Sequence, residues 1–199
     1  EHVYLFTEDR LYFPSLNLLH HGERARSRIS LYQYGRSEVD DVAAETGEVV
    51  NMAAFQDEKV FLLYYSEGES AIHDHLSGQQ MPLHASALGK SILAELPTDT
   101  VERLIDRQPL TTVTEETITD RDELRAELER TSSRGYAVDD EEGADGIRCL
   151  AAPVLSDQAV VGAVSITGPM NRIGGEYQTT LGSKIMDLAN VIEVKMRFN

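Results

Sequence analysis

Several residue types that would restrict the class of this protein are scarce or missing. The 199 residues include no tryptophan and one cysteine, Cys149. A single cysteine excludes a disulfide bond within the chain and fits a reducing compartment. No apolar run approaches the roughly 20 residues that a helix needs to span a bilayer, and the first residues lack a secretory signal pattern. We therefore expect a cytoplasmic protein that makes no contact with a membrane.

Basic residues are also scarce relative to acidic ones. The sequence contains 34 Asp and Glu against 18 Lys and Arg, which gives a formal net charge of -16. This charge repels nucleic acid and anionic membranes, so these residues alone form a poor DNA-binding surface. The acidic residues are spread over many segments, which fits either an ordinary acidic protein or a halophilic one. The chain begins with Glu1 rather than methionine, which we interpret as a fragment of a longer protein.

The order of apolar and turn residues predicts strands separated by helices and joined mostly by hairpins. This order is typical of an α+β fold in which helices pack on an antiparallel sheet. The predicted strands lie in residues 1–12 (two short ones), 48–55, 59–65, 71–76, 148–154 and 159–169. The predicted helices span 14–22, 23–46, about 85–95, 98–106, 120–134 and 177–198, with Gly22, Gly47 and Gly135 as helix ends.

The stretch from Tyr136 to Pro169 combines a polar loop with strands of small residues. Ser165 and Thr167 are two residues apart, so both side chains leave one face of a strand. Asp139 stands at a strand end before two glycines, which favours a carboxylate that points inward. Such a carboxylate would accept a hydrogen bond from a ligand hydroxyl, or repel an anion unless it is protonated. We predict a pocket for a small polar molecule, which Cys149 also lines.

Other chemical signals in the chain are weak. Gly89-Lys90-Ser91 imitates the end of a phosphate-binding loop, but His84 stands where that motif needs glycine, so Lys90 is better explained as a surface helix lysine. His73 and His75, together with His84 or His20, could hold a metal, although isolated histidine pairs are mostly structural or solvated. Cys149 as a nucleophile lacks the second member of a known pair. We expect neither cofactor nor metal.

Three longer stretches together are more specific. PLHASALGKSILAELP, TITDRDELRAELERTSSRGYAVDDEEGADGIRCLAAPV and AVVGAVSITGP resemble the effector-binding domain of IclR-type (isocitrate lyase regulator) transcription factors. The resemblance covers about residues 23–198. Residues 1–22 resemble the end of the wing and the linker helix that follow the winged helix-turn-helix of that family. The resemblance implies a GAF-like fold, α/β in class, with a curved antiparallel sheet flanked by helices.

The resemblance also implies a set of ligand contacts. It places backbone contacts at the helix start, polar contacts on three strands and one apolar lining position. Carried onto this chain, the effector-binding residues are Ala87, Leu88, Asp139, Ile147, Cys149, Ser165 and Thr167. Ala87 stands where some members have glycine, which narrows the approach to the backbone. Thr167 replaces a serine and adds a methyl group. Both differences bear on which ligand the pocket accepts.

The function implied by the resemblance is that of a sensor. A repressor or activator of this type binds a small metabolite, often a carboxylate or aromatic acid, and assembles as a homodimer or homotetramer. DNA contact would belong to the N-terminal domain that these residues lack. An organic acid or a sugar-derived effector is compatible with the pocket. Two alternatives remain: a ligand-free GAF-like oligomerisation module, and a hydrolytic enzyme that uses Asp139 and Cys149. We expect the chain not to be an enzyme, because no positioned base accompanies these two groups.

Overall fold

The computed structural model describes residues 5–8, 11–71 and 78–198. The described strands are β1 (Leu5–Glu8), β2 (Leu11–Pro14), β3 (Val49–Gln56), β4 (Lys59–Glu67), β5 (Gln80–Met81), β6 (Ala137–Asp140), β7 (Ile147–Ser156) and β8 (Ala159–Pro169). The helices are α1 (Asn17–Arg26), α2 (Ser30–Thr46), α3 (Ala87–Leu93), α4 (Thr98–Arg107), α5 (Arg121–Arg134) and α6 (Gly175–Phe198). None of the helices in this part of the chain is long and apolar enough to cross a membrane.

One six-stranded antiparallel sheet forms the centre of the fold. Its strand order is β5-β4-β3-β8-β7-β6, so β3 and β8 lie side by side although they are far apart in sequence. Both predicted hairpins are present, β3–β4 and β7–β8. Each has a two-residue turn at positive φ, Asp57-Glu58 in the first and Asp157-Gln158 in the second. Such turns match the right-handed twist of the strands that they join.

Helices cover both faces of the sheet. On one face, α2 and α6 pack on the alternate apolar residues of the central strands, such as Met52, Leu150 and Ile166. On the other face, α3, α4 and α5 pack on a row of small residues, including Ala53 and Ala163. The predicted class, a curved antiparallel sheet flanked by helices, is confirmed. The small residues leave space beside the second face, and the candidate functional site lies there.

Most predicted helix ends are confirmed. Gly47 and Gly135 end α2 and α5 at positive φ, and the Asp120 carboxylate caps α5 by accepting from the N–H groups of Asp122 and Glu123. Helix α2 continues through Gly35 without a break. A Cβ at Gly35 would lie 2.6 Å from the Met52 sulfur, so this glycine instead allows α2 to approach β3 closely.

The two short strands predicted for residues 1–12 correspond to β1 and β2, which pair with each other. The residues that follow differ from the prediction in two respects. Pro14 ends β2 and does not begin a helix. Helix α1 passes through Gly22, the expected stop, and ends at Arg26. A glycine within a helix costs only about 1 kcal/mol, which a following run of good helix formers can offset. The possible strand at 71–76 lies almost entirely outside the described residues.

Candidate functional site

The polar residues predicted for the pocket form two adjacent rows across the sheet. In the first row, Asp139 of β6 lies opposite Cys149 of β7, which lies opposite Thr167 of β8. In the second row, Ser165 of β8 lies opposite Asn51 of β3. All five side chains leave the face that α3 covers, because alternate residues on these strands enter the core beneath α2 and α6.

Helix α3 forms the opposite wall of the site. Its N-cap is Ser86, whose hydroxyl accepts from the Gly89 N–H at 3.0 Å and donates to the Pro82 carbonyl. Ala87 and Leu88 follow in the first turn, and both are buried. The first N–H groups of a helix have no carbonyl partner within that helix. Ala87 and Leu88 both line the space between this turn and the sheet.

A cavity of about 30 Å³ separates α3 from the sheet. Its walls contain Asn51, Leu62, Met81, Ser86, Ala87, Leu88, Asp139, Cys149, Ser165 and Thr167. Six of the seven residues predicted to contact the effector therefore line this one cavity. A cavity of roughly 10–15 Å³ on this measure holds one water molecule, so this one accommodates a molecule of few atoms.

Ile147, the seventh predicted residue, is not in the cavity wall. It is the first residue of β7 and pairs with Pro169, two residues along the strand from Cys149. Its side chain therefore leaves the same face of the sheet but at the end of the strand.

The histidines considered as metal ligands do not form a site in the described part of the chain. His73 and His75 lie outside the described residues. His84 is buried and contacts the Thr111 carbonyl at 2.9 Å, and among the described residues no group of three potential metal ligands occurs.

A chain of hydrogen bonds links the polar groups on the sheet. The Asn51 amide nitrogen donates to the Ser165 hydroxyl at 3.2 Å and to the Thr167 hydroxyl at 3.1 Å. The Thr167 hydroxyl donates in turn to the Cys149 sulfur at 3.2 Å. Because Ser165 accepts from Asn51, its own proton is directed elsewhere. The Asn51 carbonyl oxygen is buried and receives no hydrogen bond from the described residues.

Asp139 is the one carboxylate in the cavity wall. Its Oδ1 accepts from the backbone N–H groups of Glu142 at 2.8 Å and Gly143 at 3.2 Å, which orients the side chain. Burial raises the pKa of Asp139 to about 6, although these two N–H groups and nearby Lys90 act in the opposite direction. The carboxyl group therefore changes its protonation state near neutral pH, and the charge of the cavity changes with it.

Cys149 is unsuited to nucleophilic catalysis in this environment. Burial raises the pKa of its thiol well above the usual range, and the negative charge of Asp139 acts in the same direction. Nucleophilic cysteines require the thiolate form, which a neighbouring cation or base normally stabilises. The thiol is therefore neutral at physiological pH and serves as a polarizable part of the cavity wall.

The structure corrects our interpretation of Lys90. We expected a surface lysine, but its side chain is fully buried behind the first turn of α3. The ammonium group forms an ion pair with Glu142 and donates to the Val138 carbonyl at 2.5 Å. These contacts join α3 to the end of β6 and to the loop that orients Asp139. Burial raises the pKa of Glu142, and Lys90 acts in the opposite direction.

Sequence reasoning missed four residues of the cavity wall: Asn51, Leu62, Met81 and Ser86. Asn51 carried a signal, because it is a polar residue in the middle of the apolar strand VVNMAAF. A buried amide within such a strand must hydrogen-bond to something, and that requirement indicates a polar neighbour. Leu62 and Met81 carried no signal that distinguishes them from ordinary core residues.

Comparisons with known proteins agree with this architecture. Residues 24–194 match the family model described as bacterial transcriptional regulator IclR C-terminal. A probable HTH-type transcriptional regulator, ArcR, from Halobacterium salinarum is 37% identical over 178 residues, which cover 86% of this chain and 68% of that protein. The transcriptional repressor IclR of Escherichia coli is 34% identical over 160 residues, which cover 74% of this chain and 56% of the repressor. The chain thus spans little more than half of that repressor.

Solved structures show the same fold. The crystal structure of the Thermotoga maritima IclR superimposes with a TM-score of 0.88 at 28% identity, and the match covers 98% of this chain and 80% of that one. An IclR homolog from Microbacterium hydrocarbonoxydans, solved in complex with 4-hydroxybenzoate, has a TM-score of 0.83 at 22% identity. The match covers 98% of this chain and 80% of that one. By its family match and its curated relatives, the chain belongs to the IclR family of transcriptional regulators, and residues 24–194 form the effector-binding domain of that family.

Proposed function

We propose that this domain is the sensor of a transcription regulator and that the cavity beneath α3 holds its effector. The observation that carries the proposal is that six residues expected to contact a ligand line one cavity. They come from α3 and from three strands of the sheet, and core packing alone does not require polar groups there. A buried set of convergent polar groups in a small cavity is typical of a ligand site.

The cavity favours a small organic acid over an aromatic one. About 30 Å³ is too little for a benzene ring with its substituents, which is the kind of ligand in the Microbacterium complex. The first N–H groups of α3 and the Ser165 proton supply donors for a carboxylate. Of the organic acids, the smallest, with two carbons, come nearest to this space and offer a carboxylate to these donors. Protonation of Asp139 would remove the one negative charge that opposes an anion.

The remaining parts of the proposal concern the whole regulator. Residues 1–22 would be a wing remnant and a linker helix, and DNA contact would belong to an N-terminal helix-turn-helix domain outside this sequence. The regulator would act as a homodimer or homotetramer in the cytoplasm, as a repressor or an activator. Effector binding would alter how the protomers pack, and the linker would transmit that change to the DNA-binding domains.

A thermal-shift screen of short organic acids tests the proposal. We expect specific acids to raise the melting temperature of the wild-type chain, since a ligand that binds only the native state stabilises it. The double variant Ser165→Ala/Thr167→Ala should lose these shifts, because it removes two hydroxyl groups from the cavity. Ser183→Ala/Thr179→Ala is the matched control, as it removes two hydroxyl groups from the exposed side of α6.

Two results would contradict the proposal. Retention of the shifts in the Ser165→Ala/Thr167→Ala variant would place the ligand elsewhere. No shift with any acid would favour a ligand-free oligomerisation module instead. Mass spectrometry of each acid that produces a shift, before and after incubation, would reveal turnover, which the neutral Cys149 thiol leads us not to expect.

A further inference from the structure

The side chain of Arg26 attaches helix α1 to the central sheet. Nine of the ten residues of α1 are exposed, and Arg26, the last, is partly buried. Its guanidinium group donates to the Leu63 carbonyl of β4 at 3.1 Å. The same group pairs with Glu23 at 2.7 Å and lies 4.8 Å above the centre of the Tyr32 ring in α2. Arg26 therefore holds the end of α1 against both α2 and the sheet.

The Leu63 carbonyl belongs to an irregularity in β4. Met52 of β3 pairs with Tyr64, whereas Ala53, the next residue of β3, pairs with Leu62. Leu63 is therefore the extra residue of a β-bulge. Because the extra residue of a bulge is left unpaired in the ladder, its carbonyl is available to accept from a side chain.

The bulge joins the contact with α1 to the cavity beneath α3. Leu62 lines that cavity and packs with the residues on the α3 side of the sheet. Leu63 packs on the opposite side, with the residues beneath α2 and α6, and its carbonyl accepts from Arg26. Because Leu62 and Leu63 are adjacent, a displacement of the cavity wall at Leu62 reaches this carbonyl through one residue of backbone.

The wall formed by β4 is less firmly held than the other walls of the cavity. A molecule of more than a few atoms exceeds the space of about 30 Å³ and must displace part of the wall. Ser165 and Thr167 lie on β8 in the middle of the sheet, and the buried pair of Lys90 and Glu142 holds α3. By contrast, only the two-residue strand β5 lies outside β4, and the bulge interrupts its pairing with β3. The bulge is therefore the part of the wall that yields most readily.

The docked position of Arg26 leaves one of its groups without a partner. Its Nε is buried and donates to no acceptor in the described part of the chain. A buried donor without an acceptor costs free energy, which water would recover if the side chain moved out. This cost offsets part of the gain from the contacts with Leu63, Glu23 and Tyr32. A small displacement of the bulge is then enough to shift Arg26 between docked and released positions.

We propose that Arg26 is the contact through which the cavity controls the position of α1. A molecule in the cavity displaces Leu62, the Leu63 carbonyl moves away from Arg26, and the end of α1 is released. Helix α1 begins within residues 1–22, the proposed wing remnant and linker, so its release changes how the DNA-binding domain is held. Arg26 is a positioning residue and does not touch the effector. This inference rests on the proposed function and assigns its signal to one contact.

Filling the cavity with a side chain tests the inference without any effector. In Ala87→Leu, three added carbon atoms enter the cavity from α3 and should displace Leu62. Heteronuclear NMR resolves the Nε–H group of Arg26, and its hydrogen exchange with water should become about tenfold faster as the guanidinium is released. Ala137→Leu is the control, because it adds the same atoms on β6, at the other edge of this face and outside the cavity wall. It should leave the exchange of Arg26 unchanged.

The reverse experiment starts from α1. Coupling between two sites is reciprocal, so releasing α1 should loosen the cavity wall. Cys149, the single cysteine of the chain, reports this change because it lines the cavity on β7, with β3 and β8 between it and β4. In Arg26→Met, dithionitrobenzoate should modify Cys149 about tenfold faster than in the wild-type chain. Arg24→Met removes the same charge from an exposed residue of α1 and should leave the rate unchanged. A residue that only fastened α1 would not alter a thiol at that distance across the sheet.

The possible results separate this inference from the proposed function. An unchanged exchange rate of Arg26 in folded Ala87→Leu shows that the bulge does not respond to the cavity, and the inference is then wrong. An unchanged Cys149 rate in Arg26→Met also overturns it, and this experiment holds even if Ala87→Leu does not fold. Either failure leaves the proposed function intact, because the acid screen depends on Ser165 and Thr167 and not on Arg26. If both changes occur while no acid raises the melting temperature, the coupling stands and the proposed effector site is wrong.

Discussion

Asp139 illustrates at the residue scale how a buried carboxyl group in the cavity wall can reduce stability. Its carboxyl is buried beside the cavity, and burial raises its pKa to about 6 from an ordinary value near 3.8. Between these two pH values the unfolded chain has released the proton that the folded chain retains. Stability therefore falls as pH rises from about 4 to 6, and the full cost is present above pH 6.

We predict that Asp139→Asn stabilises the ligand-free protein at pH 8. The neutral amide removes the cost of a buried charge, while its oxygen can still accept from the N–H groups of Glu142 and Gly143. The gain should be on the order of 2–3 kcal/mol at pH 8 and should shrink to nothing near pH 4. Urea unfolding of both proteins across this pH range measures it.

A comparison with Asp140→Asn provides the control, because Asp140 is the exposed neighbour on the same strand. That change removes one carboxylate but no buried charge, although it weakens the pair with Arg148. We expect Asp140→Asn to produce no gain in the free energy of unfolding at pH 8. If Asp139→Asn instead destabilised the protein at pH 8, and that loss disappeared as pH fell, the ionised form of Asp139 would be the stabilised one, and our account of its burial would be wrong.

At the scale of elements, the position of α3 depends on a buried charge. All seven residues of this short helix are buried, and Lys90 connects it to Glu142 and to the end of β6. Removing one member of a buried ion pair is costly because the other charge remains without a partner. The same contacts hold the loop that orients Asp139, so the site and the packing of α3 depend on one pair.

We predict that Lys90→Met destabilises the chain by roughly 3–5 kcal/mol, the usual cost of breaking a buried pair. The double variant Lys90→Met/Glu142→Gln should recover part of the loss, because no isolated charge remains. Chemical denaturation monitored by circular dichroism measures both. Arg103→Met is the control, because Arg103 pairs with Glu58 at 3.7 Å on the surface and should cost less than about 1 kcal/mol. Equal losses for Lys90→Met and Arg103→Met would refute the role assigned to this pair.

The helices, strands and turns were easier to predict from the sequence than the polar contacts between them. The hairpins, the cap at Asp120 and the ends at Gly47 and Gly135 depend on neighbouring residues, which sequence displays directly. The burial of Lys90 depends on Glu142, 52 residues further along, and no local pattern distinguishes a buried helix lysine from an exposed one. Gly22 failed as a helix end because glycine permits a stop without requiring one.

In the candidate site, too, residues in local motifs were predictable from sequence and residues placed by long-range contacts were not. The resemblance supplied six residues of the cavity wall, because motifs preserve the local sequence around each contact. Asn51 comes from a strand outside those motifs and reaches the site only through its pairing with Ser165. Strand order within a sheet is a long-range property that single-sequence patterns do not encode. A polar residue in an apolar strand is the best local clue to such a contact.

At the scale of the whole molecule, net charge is the dominant feature. With a formal charge of -16, the folded chain carries many like charges at distances of a few to tens of ångströms. Like-charge repulsion favours the unfolded state, in which the charges lie further apart. Salt screens this repulsion, because the Debye length falls from about 10 Å at 0.1 M to about 3 Å at 1 M.

We predict that the melting temperature rises with potassium chloride concentration and that most of the rise occurs below about 0.5 M, where screening changes fastest. A rise that continues evenly into the molar range would indicate exclusion of salt from the surface rather than screening. Differential scanning calorimetry from low to molar salt distinguishes these outcomes. Undiminished stability at low salt would reject the halophilic interpretation and leave an ordinary acidic protein.

The pairing of β3 with β8 has a consequence for how the protein is made and degraded. Residues separated by 116 positions meet in this pair, so the candidate site is complete only after the last strand of the sheet has joined the first part of the domain. If the cavity holds the proposed effector, partly synthesised chains and chains in which these strands have separated would not bind it. Occupancy would then protect the domain from proteases that attack chains in which the site has opened, and the effector would lengthen the lifetime of its own sensor.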